Sequence, residues 1–230
     1  MRRIALILAM VATAGDAQTR PQPDAGRAQN AGRAWSFARD GQVRRFEVRK
    51  GDRWPQDGTA PKERSESYFE QKLKVGHTYR VAFSMMVEPG PPNGAEWLLL
   101  AQLQSTFAPG EPGHSPPVAI EMKGERLRFL SRTSLRPHPG QADLIATNHW
   151  TDKADLVRGR WYALEMIVRL DPRGEGLLQV SRDGTLLFDY RGALGVEERV
   201  GAYLKQGIYR GTTPERFAAR FTEPTVTPLR

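Results

Sequence analysis

Hydrophobic and polar positions alternate along most of the chain from Ala34 onward, and this period of two is that of a β-strand with one buried face. Gly, Pro, Asn and Asp interrupt the alternation at short intervals, and no long helical pattern is found. The result is roughly a dozen short strands in succession. Such a series predicts an all-β fold, an antiparallel jelly-roll sandwich (concanavalin-like) with a concave substrate groove.

Most of the predicted strands are separated by clear turn signals. The clearest hairpin turns at Asp183-Gly184. Residues 135–156 are polar throughout and are predicted to form a long loop, of the kind that often carries function. The predicted strands, apart from one described next, cover residues 42–50, 62–72, 79–87, 97–106, 117–122, 126–132, 161–170, 177–182, 185–190 and 217–223.

One stretch near the end of the chain has an unusual polar face. If residues 203–210 form a strand, Leu204 and Ile208 point into a core. The opposite face then carries two phenols, a cation and a glycine, where the missing side chain is expected to leave room for a ligand. These four residues are Tyr203, Lys205, Gly207 and Tyr209.

The N-terminus has the features of an export signal. Two arginines precede an apolar run that is too short to span a bilayer, and small residues around position 17 suit cleavage. We therefore expect a signal peptide over residues 1–17, a flexible leader over residues 18–33 and a single domain over residues 34–230. This organisation predicts a periplasmic or secreted protein, and the absence of cysteine means that core packing must hold it together.

The charge balance predicts an anionic partner. The 230-residue chain has a formal net charge of +8, spread along its length without a dense Lys/Arg block. That distribution argues against nucleic acid and against a membrane surface, and it suits an anionic polysaccharide. We expect a monomer. No cofactor or metal is predicted, because the four histidines are scattered and no carboxylates have ligand spacing.

Two further predicted strands carry polar residues at alternate positions. Arg64, Glu66 and Tyr68 share one face of the first, and Gln102 and Gln104 share one face of the second. In isolation an Arg/Glu pair on a strand is commonly a solvated ion pair, and a Gln pair commonly marks a strand that reaches solvent. Together with the lysine and phenols near the C-terminus, however, these groups complement a carboxylated sugar chain.

The three stretches resemble the motifs of jelly-roll polysaccharide lyases, namely the alginate-lyase-like, glucuronan-lyase and heparin-lyase-I-like families. Two departures are present: Gln104 stands where those families have a histidine, and Gly211 replaces a final glutamine. The matching segments, in family order, are Arg64-Ser65-Glu66, Gln102-Leu103-Gln104 and Tyr203-x-Lys205-x-Gly207-x-Tyr209.

The resemblance implies β-elimination on a uronic-acid polymer, with Tyr209, Arg64, Gln102 and Lys205 as catalytic residues. Arg64 and Gln102 would bind the substrate carboxylate, and Lys205 would stand beside Tyr209, which would move protons. Glu66 would orient Arg64. The expected substrate-binding residues are Glu66, Gln104, Tyr203, Tyr68 and, from the long loop, His149.

The departure at Gln104 leaves the identity of the base open, since an amide has no useful pKa. Either Tyr209 performs both proton transfers, or a loop histidine takes part, or activity is lost. The histidines in question are His114, His138 and His149.

Two other functions compete with the lyase. The main alternative is a non-catalytic carbohydrate-binding β-sandwich. A glycoside hydrolase is the other, but the chain lacks the Glu-x-Asp-x-x-Glu run that supplies paired carboxylates in sandwich hydrolases.

Overall fold

The computed structural model describes residues 28–230. The predicted signal peptide, residues 1–17, and residues 18–27 of the predicted leader lie outside the described residues. Ala28–Asn30, at the end of the predicted leader, forms strand β1 and pairs antiparallel with β4. The sheet therefore begins before residue 34, where the alternating pattern starts, because three backbone pairings need no apolar side chain.

Fifteen strands and two short 3-10 helices form in residues 28–230, with no α-helix among them. The 3-10 helices are Pro55–Asp57 and Gln141–Asp143. Within these residues nothing helical has the length and apolar character needed to cross a membrane. The strands are β1 Ala28–Asn30, β2 Phe37–Asp40, β3 Val43–Val48, β4 Lys62–Leu73, β5 Thr78–Val87, β6 Leu98–Gln104, β7 Val118–Lys123, β8 Arg126–Thr133, β9 Ile145–Thr151, β10 Tyr162–Arg169, β11 Asp171–Arg182, β12 Thr185–Leu194, β13 Ala202–Gly211, β14 Phe217–Thr222 and β15 Thr225–Leu229.

The strands make two antiparallel sheets. The first, which we call the groove sheet, has seven strands in the order β1-β4-β13-β6-β7-β8-β9. The second has eight, in the order β12-β11-β10-β5-β14-β3-β2, with β15 paired to β5. Strands that are distant in the chain, such as β4, β13 and β6, are neighbours in this sheet. The predicted antiparallel jelly-roll sandwich is confirmed.

The hydrophobic core lies between the two sheets. Leu204 and Ile208 of β13 are fully buried there, as their positions in the alternating pattern predicted. Val81 and Met85 of β5 face them from the second sheet and are also fully buried. This burial fixes which face of β13 is left for the groove.

The prediction of a long loop over residues 135–156 is wrong in part. Ile145–Thr151 forms β9, which pairs with β8 at the edge of the groove sheet. Five of its seven residues are exposed, so the strand has no apolar face from which an alternating pattern would reveal it. β15 was missed as well; it is a short strand that contains Pro228.

Candidate active site

The three polar stretches lie side by side in the groove sheet, with β13 between β4 and β6. Tyr209 is paired with Arg64 across one side of β13, and Lys205 is paired with Gln102 across the other. Paired residues in an antiparallel sheet point to the same face. The register therefore brings these four side chains, which are far apart in the sequence, to one surface.

That surface is the floor of a groove with a volume of about 750 Å³. The groove crosses the sheet from β1 to β8. Six of the predicted site residues line it: Arg64, Gln102, Gln104, Tyr203, Lys205 and Tyr209.

Glu66 lies beneath the groove floor and holds three of those residues together. Its carboxylate, which is fully buried, accepts hydrogen bonds from Lys205 Nζ at 2.6 Å and from Arg64 Nη1 at 2.9 Å. Gln102 Nε2 donates to the other carboxylate oxygen at 2.5 Å. The carboxylate thus fixes the side-chain positions of residues from β4, β6 and β13.

The electrostatics of this cluster favour the charged carboxylate. Burial alone would raise the pKa of Glu66, but the Lys205 ammonium and the Arg64 guanidinium outweigh burial and hold the pKa below its ordinary value. Burial lowers the pKa of Lys205, although Glu66 opposes the shift. Glu66 is therefore a structural anion that holds the Lys205 ammonium at the groove floor.

Arg64 is already occupied by protein anions. Its Nε and Nη2 donate to the two carboxylate oxygens of Asp57, at 2.8 and 2.9 Å, and its Nη1 donates to Glu66 and, at 3.3 Å, to Gln29. Such a bidentate pair is geometrically rigid. The guanidinium is thus held in place, with few donors left for a substrate.

Tyr209 is clamped by its neighbours at the groove floor. The Arg64 guanidinium lies 3.7 Å from the ring centroid, and the Trp97 ring meets it edge-on with centroids 4.9 Å apart. Burial acts to lower the pKa of Lys62, but the Tyr209 hydroxyl and the Asp57 carboxylate outweigh it, and the pKa is raised. Lys62, whose ammonium lies 5.5 Å from the centre of the Tyr209 ring, is thus a second cation beside this phenol; it shares the face of Arg64 by strand alternation and was overlooked.

Gly207 has a different role from the one predicted. Its φ is +138°, and a Cβ there would lie 2.3 Å from the Ser65 carbonyl oxygen and 2.6 Å from Glu66 Cα. The missing side chain therefore allows β4 to approach closely and does not leave room for a ligand. The expectation of a ligand gap at this glycine is wrong.

Tyr203, Tyr68 and Gln104 extend the site along β13. The rings of Tyr203 and Tyr68 meet edge-on with centroids 5.9 Å apart, and Tyr68 is not part of the groove lining. Burial and the charge of Glu66 raise the pKa of Tyr203, which makes it a poor base. Gln104 Nε2 donates weakly, at 3.4 Å, to the carbonyl oxygen of His114.

The three histidines considered as alternative bases have separate environments, and His149 lies in strand β9. His149 lies outside the groove lining, because its ring stacks on Phe188 and its Nε2 contacts the Ser131 hydroxyl at 2.7 Å. Burial lowers its pKa. His138 pairs with a glutamate outside the groove. His114 lines the groove, whereas His149, the predicted substrate contact, does not.

A second charged cluster, absent from the sequence predictions, lines the far end of the groove. Glu121 of β7 accepts hydrogen bonds from Arg128 Nη2 at 2.7 Å and from Arg132 Nη2 at 3.2 Å, both on β8. Glu121 and Arg128 are directly paired in the β7–β8 hairpin. Because the β7–β8 hairpin was predicted from the sequence, the pairing of Glu121 with Arg128 could have been predicted as well.

Among residues 28–230, no group of three or more His, Cys, Asp or Glu side chains is arranged to hold a metal ion. The cationic, carboxylate-supported floor described above is instead suited to binding an anionic group beside a phenol.

Comparisons with known proteins agree with this geometry. The sequence matches the protein family described as polysaccharide lyase over residues 13–224. No curated protein sequence matches the chain.

Solved structures with the same fold include lyases from a fungus and from bacteria. An endo-β-1,4-glucuronan lyase from the fungus Trichoderma reesei has a TM-score of 0.72 at 11% identity, covering 91% of this chain and 94% of that chain. An alginate lyase from Pseudomonas aeruginosa has a TM-score of 0.55 at 18% identity, covering 86% and 88%. A marine alginate lyase from Zobellia galactanivorans has 0.56 at 13%, covering 86% and 82%. Identities this low establish the shared fold alone.

Proposed function

This chain belongs to the polysaccharide lyase family, and we propose that it cleaves acidic polysaccharides by β-elimination in the groove over β4, β13 and β6. The observation that carries the assignment is the register of those three strands, which lines one groove with Tyr209, Lys205 and Gln102. Family membership also favours the enzyme over the non-catalytic carbohydrate-binding alternative.

Carboxylate binding is the first requirement of the reaction, because the C5 proton of a uronate is poorly acidic while its carboxylate is charged. We assign this task to Lys205 and Gln102, whose side chains lie at the groove floor and are held by Glu66. A fixed ammonium and a fixed amide donor stabilise the enolate-like charge that develops as the proton leaves.

Tyr209 is the proposed proton-transfer group. A base removes the C5 proton, the electron pair forms the C4–C5 double bond, and the C4–O4 bond breaks as O4 takes up a proton. Tyr209 is held in place by Arg64 and Trp97, and the Lys62 ammonium lies 5.5 Å from the centre of its ring. One phenol can therefore accept the first proton and return a proton to O4.

Arg64 supports these groups without acting on the substrate. Its donors are taken up by Asp57 and Glu66, and its guanidinium covers the Tyr209 ring. We propose that it is a positioning residue for the phenol and for the carboxylate beneath the floor.

The test uses the ultraviolet absorbance of the unsaturated uronate formed by elimination. The wild-type protein is incubated with glucuronan, alginate and heparin-type polymers, and we expect absorbance to rise on at least one of them. Tyr209→Phe removes only the hydroxyl and should lower kcat by about 10²-fold or more. Tyr190→Phe is the matched control, since its hydroxyl donates to the Ala193 carbonyl oxygen outside the groove, and it should keep full activity.

Two results would overturn parts of this proposal. No absorbance gain on any acidic polymer would contradict the proposed substrate class. Full activity in Tyr209→Phe would remove Tyr209 from the mechanism. A parallel His114→Asn variant should remain active, and loss of activity in it would assign the base to His114 instead.

We also propose that the protein is exported and acts as a monomer with a single folded domain. Export is supported by the signal-like sequence of residues 1–17, and the single domain by a jelly roll that runs from β1 to β15.

A further inference from the structure

The far end of the groove carries more positive charge than its one carboxylate balances. The side chain of Glu121 is buried, whereas those of Arg128 and Arg132 are 25% and 14% exposed. Two guanidiniums share one carboxylate, so the cluster has an excess of one positive charge. All three residues line the groove.

Both arginines retain donors for a ligand. A guanidinium has five N–H donors. Arg128 uses Nε and Nη2 on Glu121, and Arg132 uses Nη1 on the Pro116 carbonyl oxygen and Nη2 on Glu121. These bonds fix the two planar groups in position and leave further N–H groups free to meet an anion in the groove, so little ordering is needed on binding.

The arginines of the cluster belong to a strand that is set apart from the proposed catalytic strand β13. β8 is three strands from β13 in the groove sheet, which at a spacing of about 4.8 Å per strand is about 14 Å. This distance is longer than one sugar ring. A polymer that lies across the strands would therefore reach Arg128 and Arg132 with a residue other than the one being cleaved.

We propose that Arg128 and Arg132, held by Glu121, form a second anion subsite that binds an anionic group, carboxylate or sulfate, on a sugar remote from the cleaved bond. The inference rests on the proposed function, because it takes the groove as the polysaccharide site. With this second subsite, the enzyme recognises several charged sugars in succession and binds long polymers more tightly than short fragments.

The experiment compares Arg128→Gln and Arg132→Gln with wild type on glucuronan, which carries only carboxylates, and on heparin, which also carries sulfates. Each variant should raise KM by about tenfold with kcat within about twofold, since a remote contact binds ground state and transition state equally. The increase of KM with salt should also be shallower. Arg126→Gln is the matched control, because Arg126 is on the same strand but pairs with Asp155 outside the groove lining.

The comparison of the two polymers identifies the anion. If KM rises for both polymers, the subsite binds a carboxylate; if KM rises for heparin alone, the subsite binds a sulfate. Values of KM that match the Arg126→Gln control on both polymers would overturn the subsite. Thermal midpoints check that each variant is folded, and the second arginine provides an independent variant if the first is not.

A binding measurement separates this inference from the proposed activity. The dissociation constant for each polymer, obtained by affinity electrophoresis, should rise about tenfold in the same two variants even if no polymer is cleaved. Absence of cleavage would then count against the proposed function alone, whereas unchanged dissociation constants would count against the subsite alone.

Discussion

Glu66 shows at the scale of one residue how a buried charge can organise a site. The alternating pattern placed it on the groove face beside Arg64, where it was expected to orient that arginine and contact the substrate. The structure retains the first role and adds two more partners, Lys205 and Gln102. With no exposed surface, the carboxylate has no route to a sugar unless the floor moves.

Glu66→Gln tests the structural importance of this carboxylate. The amide keeps the shape but leaves the buried Lys205 ammonium without its counter-charge, so we expect a loss of about 3–5 kcal/mol in the free energy of unfolding at pH 7. Urea unfolding measures the loss. Glu165→Gln is the matched control: it breaks an exposed pair with Arg80 on strands of the second sheet and should cost less than about 1 kcal/mol.

The same comparison has a defined pH dependence. The pKa of Glu66 is lowered in the folded state, so its contribution is present above the ordinary glutamate pKa and is lost as pH falls through the folded value. The difference between wild type and Glu66→Gln should therefore shrink in acid. An equal difference at pH 7 and pH 3, or a cost no larger than that of Glu165→Gln, would contradict this account.

At the scale of the element, β13 is polar on parts of both faces. Its groove face carries Lys205 and Tyr209, and its inner face carries Arg210, which forms a fully buried pair with Glu63 at 2.7 Å. Next to Ile208 on that inner face, the Gln206 side chain is bonded to Arg44 from the second sheet. These contacts connect β13 to the groove residues on one face and to the second sheet on the other.

Burying charged side chains on the inner face has an electrostatic cost, and the pKa of Arg44 reflects it. Burial, against the opposing field of Glu223, lowers the pKa of Arg44 to about 10. Its guanidinium donates to the Ser67 hydroxyl at 2.9 Å as well as to Gln206. The inner faces of β4 and β13 thus exchange part of their apolar contact for directed hydrogen bonds between the two sheets.

Gly207→Ala tests the close approach of β13 and β4. The new methyl group would meet the Ser65 carbonyl oxygen in a backbone conformation that alanine disfavours, so we expect a loss of at least about 2 kcal/mol in stability. Urea unfolding measures it, and the variant should also lose activity because Glu66 is displaced. Gly90→Ala is the control, because its φ is not positive and the new methyl group would meet only Arg158 Nη1, at an ordinary contact distance of 3.8 Å; it should change stability by less than about 0.5 kcal/mol. Equal costs at the two glycines would show that β4 adjusts freely.

At the scale of the whole molecule, buried and half-buried glutamates give stability two opposing dependences on pH. For Glu88, burial acts to raise the pKa, but hydrogen bonds from Arg45 and Arg220 outweigh it and the pKa is lowered. For Glu198, burial raises the pKa and the hydrogen bonds from Ser105 and Thr106 do not offset it.

Two variants should separate these dependences. Stability from Glu88 is present above the ordinary glutamate pKa and is lost in acid, so Glu88→Gln should be less stable than wild type at pH 7 and should approach it near pH 3. Glu198 favours its neutral form, so Glu198→Gln should gain on wild type as pH rises from 3 to 7. Urea midpoints across this range measure both, and slopes of the same sign would contradict the assignment.

The sequence by itself determined most of the strands, the fold class and six of the residues that line the groove. Alternation is a local property, so it assigned Leu204 and Ile208 to the core and Lys205 and Tyr209 to the opposite face without knowledge of any partner strand. It failed for β9, an edge strand with little to bury, and it started the domain after β1 for the same reason.

Only the tertiary structure decided which side chains meet. Strands β4, β6 and β13 are distant in the chain, and their order and register determine that Glu66 contacts Lys205 and Gln102. The same order excludes His149 from the groove and places Arg128 in it. Such contacts depend on the pairing of strands that are distant in the chain, and an alternating pattern does not define that pairing. The sequence could therefore assign Tyr209 to the groove face but could not identify the side chains that contact it.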